Sequence, residues 1–147
     1  MPPVETSDTI DRGISCMESG DFLSALVFLE KAARRELSPL VASHLAVCLA
    51  RERGQVQKAL ALCRDALEKE PENNVHYLNM GRIHLIRGDK PEAINCFRAG
   101  LAHGRDQRLI SELDRLGTRR PPVIPFLRRT NPLNRYLGKL MHRLGLR

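Results

Sequence analysis

Tryptophan is absent from this 147-residue chain, and only six residues, four Phe and two Tyr, are aromatic. Phe126 and Tyr136 are the rings near its basic end, a poor stacking platform for nucleic acid. Long apolar runs are missing too. None approaches the roughly 20 residues a membrane-crossing helix needs, so nothing here is expected to span a bilayer. The opening residues show no positive flank followed by an apolar stretch, so no secretory signal is expected and a cytoplasmic protein is. The four cysteines, Cys16, Cys48, Cys63 and Cys96, stand at wide spacings without a Cys-x-x-Cys. That pattern suits reduced, packed thiols rather than a disulfide frame or a zinc site, and no metal or cofactor is expected. No phosphate-binding Gly-rich loop, nucleophile elbow or His-Glu-x-x-His occurs, and the five histidines, His44, His76, His84, His103 and His142, make no ligand spacing. Catalysis has no residues to carry it, and neither an enzyme nor a small-molecule substrate is expected.

Charge divides the chain. Residues 1–117 hold all 17 acidic residues and 16 of the 24 basic ones, a net of −1, whereas residues 118–147 hold eight basic residues, no carboxylate and a net of +8. A block of like charge repels itself and usually marks an arm used for interaction.

The near-neutral body repeats itself every 34 residues. Gly20, Gly54 and Gly88 share this spacing, as do Ala25, Ala59 and Ala93; Leu26, Leu60 and Ile94; Ala32, Ala66 and Gly100; and Ala33, Leu67 and Leu101. The glycines fall where one helical pattern gives way to the next and end a helix at little strain. Asp21 and Asp89 follow as amino-terminal caps, and Asp89-x-x-Glu92 has capping-box spacing. Helices are expected near 7–18, 22–36, 39–52, 56–69, 74–86 and 90–102. A further amphipathic stretch within 106–116 carries Leu109, Leu113 and Leu116 and would cover the open end of the stack.

Tyr77, Met80-Gly81, His84, Ala93-x-x-x-Phe97 and the glycine and proline punctuation resemble the tetratricopeptide repeat family. The second unit departs, with Ala46-Val47 and Cys63 at the Leu-Gly and second aromatic positions, and the first has Arg12-Gly13 and Leu29. The resemblance implies an all-α, right-handed solenoid of three helix-turn-helix repeats with a carboxy-terminal capping helix. Its divisions would be a flexible 1–5, repeats at 6–39, 40–73 and 74–105, the cap at 106–117 and the basic tail at 118–147. It also implies a concave groove lined by the first helix of each pair, here Ile10, Ile14 and Met17, then Val41, His44, Cys48 and Arg51, then Val75, Leu78, Arg82, Leu85 and Ile86. Ser7, Glu18 and Glu52 extend that lining. Family members that grip the free carboxylate of chaperone tails place Lys, Asn and Arg early on these helices. Ile10, Ile14 and Leu45 stand there instead, so a carboxylate clamp is not expected. An apolar groove with Arg51 and Arg82 suits a hydrophobic segment or an amphipathic helix of a partner protein.

In the tail, three prolines make residues 119–130 an extended strap that includes Phe126, Arg128 and Arg129. Residues 132–144 then form an amphipathic helix with Leu133, Tyr136, Leu137, Leu140, Met141 and Leu144 at helical spacing, and Arg135, Lys139, His142 and Arg143 largely on the other face. Three uses are open to it: folding back on the solenoid, docking on another protein or a second copy of this chain as a homodimer, or lying on an anionic membrane surface. Nucleic acid is the weaker variant of the last. The sequence thus describes a non-catalytic adaptor.

Overall fold

The computed structural model describes residues 4–117 and, in the carboxy-terminal segment, residues 136, 139, 140 and 142–145. The chain divides into two compact units, Met1–Leu116 and Gly117–Arg147.

The first unit is a run of seven α-helices: α1 (Val4–Glu18), α2 (Phe22–Arg35), α3 (Pro39–Arg53), α4 (Val56–Lys69), α5 (Asn74–Arg87), α6 (Lys90–Leu101) and α7 (Gln107–Arg115). No strand occurs among the described residues. Consecutive helices pair as α1/α2, α3/α4 and α5/α6, and the pairs stack through α2 on α3 and α4 on α5, with α7 on α6. This is an all-α helical repeat solenoid closed by a capping helix.

The 34-residue columns explain the regularity. Gly20, Gly54 and Gly88 all adopt the left-handed backbone, at φ of +85°, +64° and +84°, which an L side chain would strain. Asp21 then accepts a hydrogen bond from Ser24 N–H at 3.0 Å, and Asp89 from Glu92 N–H at 3.3 Å. Gln55, the middle equivalent, makes no side-chain cap bond. The capping box expected at Asp89 is only half made, because the Asp89 N–H donates to the His84 carbonyl at 2.8 Å and closes the turn behind α5 instead. Ala25, Ala59 and Ala93 are fully buried, and Ala32, Ala66 and Gly100 are buried beside them.

One pair of columns varies without loss of packing. Gly13, Val47 and Gly81 face Leu29, Cys63 and Phe97, one repeat apart in each series. A methyl at Gly13 would lie 2.8 Å from Leu29 Cγ, and one at Gly81 would overlap the Phe97 ring, within 2.7 Å of Cδ1 and Cζ. Glycine therefore lets a bulky side chain approach the first helix of the hairpin. The middle repeat reverses the sizes, with Val47 at the register position opposite the small Cys63, both buried in one apolar cluster. The departures noted in the sequence are a compensated exchange.

Helix α3 is buried along ten consecutive residues, from position 41 to position 50, because α1, α2, α4 and α5 all pack against it. The main apolar cluster runs from Met17 and Leu29 through Leu45, Cys48 and Leu60 to Ile83, and a second one gathers Leu78, Ala93, Phe97 and Leu109 under the cap.

In the second unit, residues 136, 139, 140, 142 and 143 are helical, the Leu144 N–H donates to the Leu140 carbonyl at 3.0 Å, and Gly145 has a φ of +66°. The strap at 119–130, with Phe126, Arg128 and Arg129, and the helix positions Leu133, Arg135, Leu137 and Met141 lie outside the described residues. No helix among the described residues is long and apolar enough to cross a membrane.

Candidate functional site

The first unit holds a cavity of about 430 Å³ lined by Met17 and Glu18 at the end of α1, Phe22 at the start of α2, Val47 and Arg51 of α3, Arg82, Leu85 and Ile86 of α5, and Glu112 and Arg115 of α7. Five helices contribute, and except for Val47 and Arg82 the contributing positions lie within the first or last turn of their helices. Five of the ten lining residues are apolar, and the charged rim carries three guanidiniums against two carboxylates.

The two halves of the rim differ electrically. On the cap side, Glu112 lies almost wholly buried, with Arg82 Nε at 3.5 Å from its Oε1 and Arg115 Nη1 at 3.7 Å from its Oε2. Both separations exceed hydrogen-bond length, so this is a loose ion triplet. On the other side, the Arg51 guanidinium stacks over the Phe22 ring, 4.2 Å from its centroid, within the range of an attractive cation–π contact. Among the described residues no carboxylate reaches Arg51 at ion-pair distance.

Of the residues assigned to the groove from the sequence, Met17, Glu18, Arg51, Arg82, Leu85 and Ile86 meet in this cavity. Val41 and Cys48 are fully buried and Leu78 nearly so, Cys48 and Leu78 within the two apolar clusters. Ile10, Ile14 and Val75 are half-buried and do not line the cavity. His44 is buried, its Nδ1–H donating to the Leu40 carbonyl at 2.8 Å; burial, helped by the neighbouring Arg82, His76 and Arg108, outweighs that bond and holds its pKa below the ordinary 6.5. Phe22, Val47, Glu112 and Arg115 were not assigned to the groove from the sequence.

A second polar constellation sits inside the stack. His76 Nε2 lies 2.7 Å from Glu70 Oε2, and its Nδ1 lies 2.9 Å from Ser43 Oγ. Asn79 Nδ2 donates to the same Ser43 oxygen at 3.2 Å, and Asn73 Nδ2 donates to Glu70 Oε2 at 2.9 Å. With the neutral ring donating from Nε2 to the carboxylate, Nδ1 accepts the Ser43 hydroxyl. A serine, a histidine and a carboxylate in series have the order of a nucleophilic triad. Ser43, His76 and Asn79 are all fully buried, however, and none of them lines the cavity between α1, α3, α5 and α7. The arrangement joins α3 to α5 and to the turn that precedes it. The three cysteines with shifted thiols, Cys48 and Cys63 pushed up to about 12 and Cys96 to about 11 by burial, are likewise poor nucleophiles. Among the described residues no group of His, Cys, Asp or Glu side chains could hold a metal ion.

Family models of the tetratricopeptide repeat match residues 10–74 and 50–113. No curated protein matches the chain. Among solved structures, the first TPR of Spaghetti (RPAP3), bound to the HSP90 peptide SRMEEVD, is 15% identical, with 77% of this chain and 93% of that one covered at a TM-score of 0.58. The Sgt2 TPR domain from Aspergillus fumigatus is 16% identical, with 91% and 95% covered at 0.57. The Arabidopsis OM64 TPR domain is 18% identical, with 79% and 97% covered at 0.58. At such identities the likeness is one of fold.

Proposed function

The chain belongs to the tetratricopeptide repeat family, whose domains are protein-interaction modules, and we propose that it works as an adaptor, holding an apolar peptide or amphipathic helix of a partner protein in the cavity between α1, α3, α5 and α7. The observation that carries this reading is the cavity itself: Met17, Phe22, Val47, Leu85 and Ile86 supply apolar surface beside three guanidiniums and two carboxylates. Burial of a ligand's side chains there supplies affinity at roughly 25 cal/mol per Å² of apolar surface before the costs of ordering, and the rim sets orientation. The binding surface differs from that of relatives which grip a free terminal carboxylate, because Ile10, Ile14 and Leu45 stand at those positions.

The test is selection of binders from a randomised dodecapeptide display library on the full chain. Binders should weaken at least tenfold against Ile86→Glu, at an exposed position, and against Leu85→Glu, whose side chain also packs on the cluster under the cap, so a thermal scan verifies that each variant is folded. Peptides that bind both variants as well as the parent would refute the groove as the site.

A second reading concerns the tail. Tyr136, Leu140 and Leu144 recur every four residues on one helical face, and all are exposed, with Lys139 and Arg143 beside them. A basic helix with such a stripe suits an anionic membrane surface. Association through it would weaken steeply as salt rises, whereas an apolar peptide in the groove would hardly respond.

A further inference from the structure

We propose that the groove recognises an internal acidic side chain of its ligand, an Asp or Glu flanked by apolar residues, and that Arg51 held on the face of Phe22 is the group that reads it. The inference rests on the groove reading above and specifies the ligand's chemistry.

Most charges in the cavity are already engaged or of the wrong sign to take an acid. Arg82 and Arg115 share the buried Glu112 carboxylate, and Glu18, the other acid of the lining, makes no ion pair with Arg51. Arg51 is exposed, lines the cavity and has no carboxylate partner among the described residues. Among the described residues its contact is with the Phe22 ring, at 4.2 Å from the centroid. A guanidinium held over a ring by a cation–π contact spends none of its N–H donors on a hydrogen-bond acceptor there. It is also restrained before binding, so less side-chain freedom is lost when a planar carboxylate docks in bidentate fashion. Phe22 is the first residue of α2, directly after the Asp21 cap, so the ring is anchored by a fixed helix start rather than by a loop. Met17, Leu85 and Ile86 line the same cavity and offer the apolar contacts on either side.

The alternative pole is Glu112, which could draw a ligand cation. It is less available: its side chain is 8% exposed and already lies between two guanidiniums. Arg51, the one cation of the lining that faces no carboxylate among the described residues, therefore decides the sign of the ligand. The position is also distinct from a grip on a chain terminus, because Arg51 lies in the last turn of α3 rather than early on the helix.

The test uses the display-selected dodecapeptides. Peptides that lose binding to Ile86→Glu should carry an Asp or Glu at a fixed position between apolar residues. Changing that residue to Asn or Gln should weaken binding about five- to tenfold at low salt, amidation of the peptide's carboxy terminus should change it less than twofold, and against Arg51→Gln the acidic and amide peptides should bind equally. Phe22→Leu should reduce the acid preference without abolishing apolar binding. Groove-dependent peptides that carry no acid, that carry Lys or Arg instead, or that keep their acid preference against Arg51→Gln would overturn the assignment while leaving the groove in place. If no selected peptide depends on Ile86 or Leu85, the groove reading itself fails. Arg51 is exposed, so Arg51→Gln should melt with the parent chain, which a thermal scan verifies.

Discussion

The exchange of sizes between the two helices of a hairpin can be tested by moving the middle repeat's solution into the third. Gly81→Val places a branched side chain where a single methyl already overlaps the Phe97 ring. Phe97 is fully buried in the cluster with Leu78, Ala93 and Leu109, so it has nowhere to swing. Overpacking of this kind costs about 3 kcal/mol, offset by a few tenths from replacing a mid-helix glycine. Phe97→Cys alone removes most of a buried aromatic side chain and leaves a hollow beside Gly81, at a cost of about 3 kcal/mol. Independent effects would sum to roughly 6 kcal/mol, more than many small domains have to lose. The double variant instead recreates the pair Val47 and Cys63, which sits buried in the second repeat. Its cost should be about 1–2 kcal/mol, the remainder reflecting apolar contacts with Leu109 that valine cannot replace, so the two changes couple by about 4 kcal/mol. Urea denaturation followed by far-ultraviolet circular dichroism, with slopes checked for constancy, measures all four corners of the cycle. Should either single variant fail to fold, Gly81→Ala and Phe97→Leu give the same cycle at smaller amplitude. Additivity within about 0.5 kcal/mol would show that the two columns do not compensate.

Three further outcomes follow from buried polar groups. Ser43→Ala leaves His76 Nδ1 and Asn79 Nδ2 without their shared partner in a fully buried site; a loss of about 2–4 kcal/mol is expected in urea, against less than about 0.5 for the exposed Ser111→Ala, and equal losses would deny the joint its role. Burial, reinforced by Arg87 and Arg64 and opposed by Asp89 and Glu92, holds the His84 pKa below 6.5, and His44 is shifted the same way. The unfolded chain then takes up protons first, so stability is full above about pH 6.5 and falls as pH drops towards the lower folded-state values. The melting temperature should therefore fall between pH 7.5 and 5.5, less so in His84→Phe, and a flat profile would contradict this. With thiols raised from 9.0 to about 12, Cys48 and Cys63 should show about a thousandfold less thiolate than an open cysteine. They should resist a thiol reagent at pH 8 until urea is added, and rapid native-state labelling assigned to either by peptide mapping would refute their burial.

What the sequence discloses depends on how local the signal is. The positive-φ glycines and the Asp21 and Asp89 caps act within a few residues of themselves, and the helices they bound end within a few residues of where the periodicity places them. The packing exchange is less local. Val47 and Cys63 read as departures when each column is taken alone, and make sense only when two columns sixteen residues apart are read together. The buried joint is longer in range again, with Ser43 bonded to His76 and Asn79 at separations of 33 and 36 residues. Those values bracket the repeat length, and that is the signal that could have found them: in a stack of equal units, residues about one repeat apart lie side by side on neighbouring helices. The lining of the cavity depends on how the stack curves. No column records that curvature, and so Phe22, Glu112 and Arg115, from a second helix and from the cap, escaped a reading confined to first helices.

These placements divide labour along the first helices of the repeats. Ser43, His76 and Asn79 lie in the amino-terminal halves of α3 and α5 and are spent on holding one repeat to the next. Arg51, Leu85 and Ile86 lie near the carboxy-terminal ends of the same two helices and face the cavity. Helix dipoles explain part of this, since a guanidinium in a last turn is favoured by the partial negative charge there; Arg53 and Arg87, which pair with Glu30 and Asp89 away from the cavity lining, need no more than that. Arg51 does need more. The dipole accounts for a basic residue at that turn but not for its placement over an aromatic ring inside a hollow, with no acid of its own to meet. In the last turn of α3, Arg53 is thus the guanidinium that ties this repeat to Glu30 of the one before, and Arg51 is the one left without an acid among the described residues and able to meet a ligand.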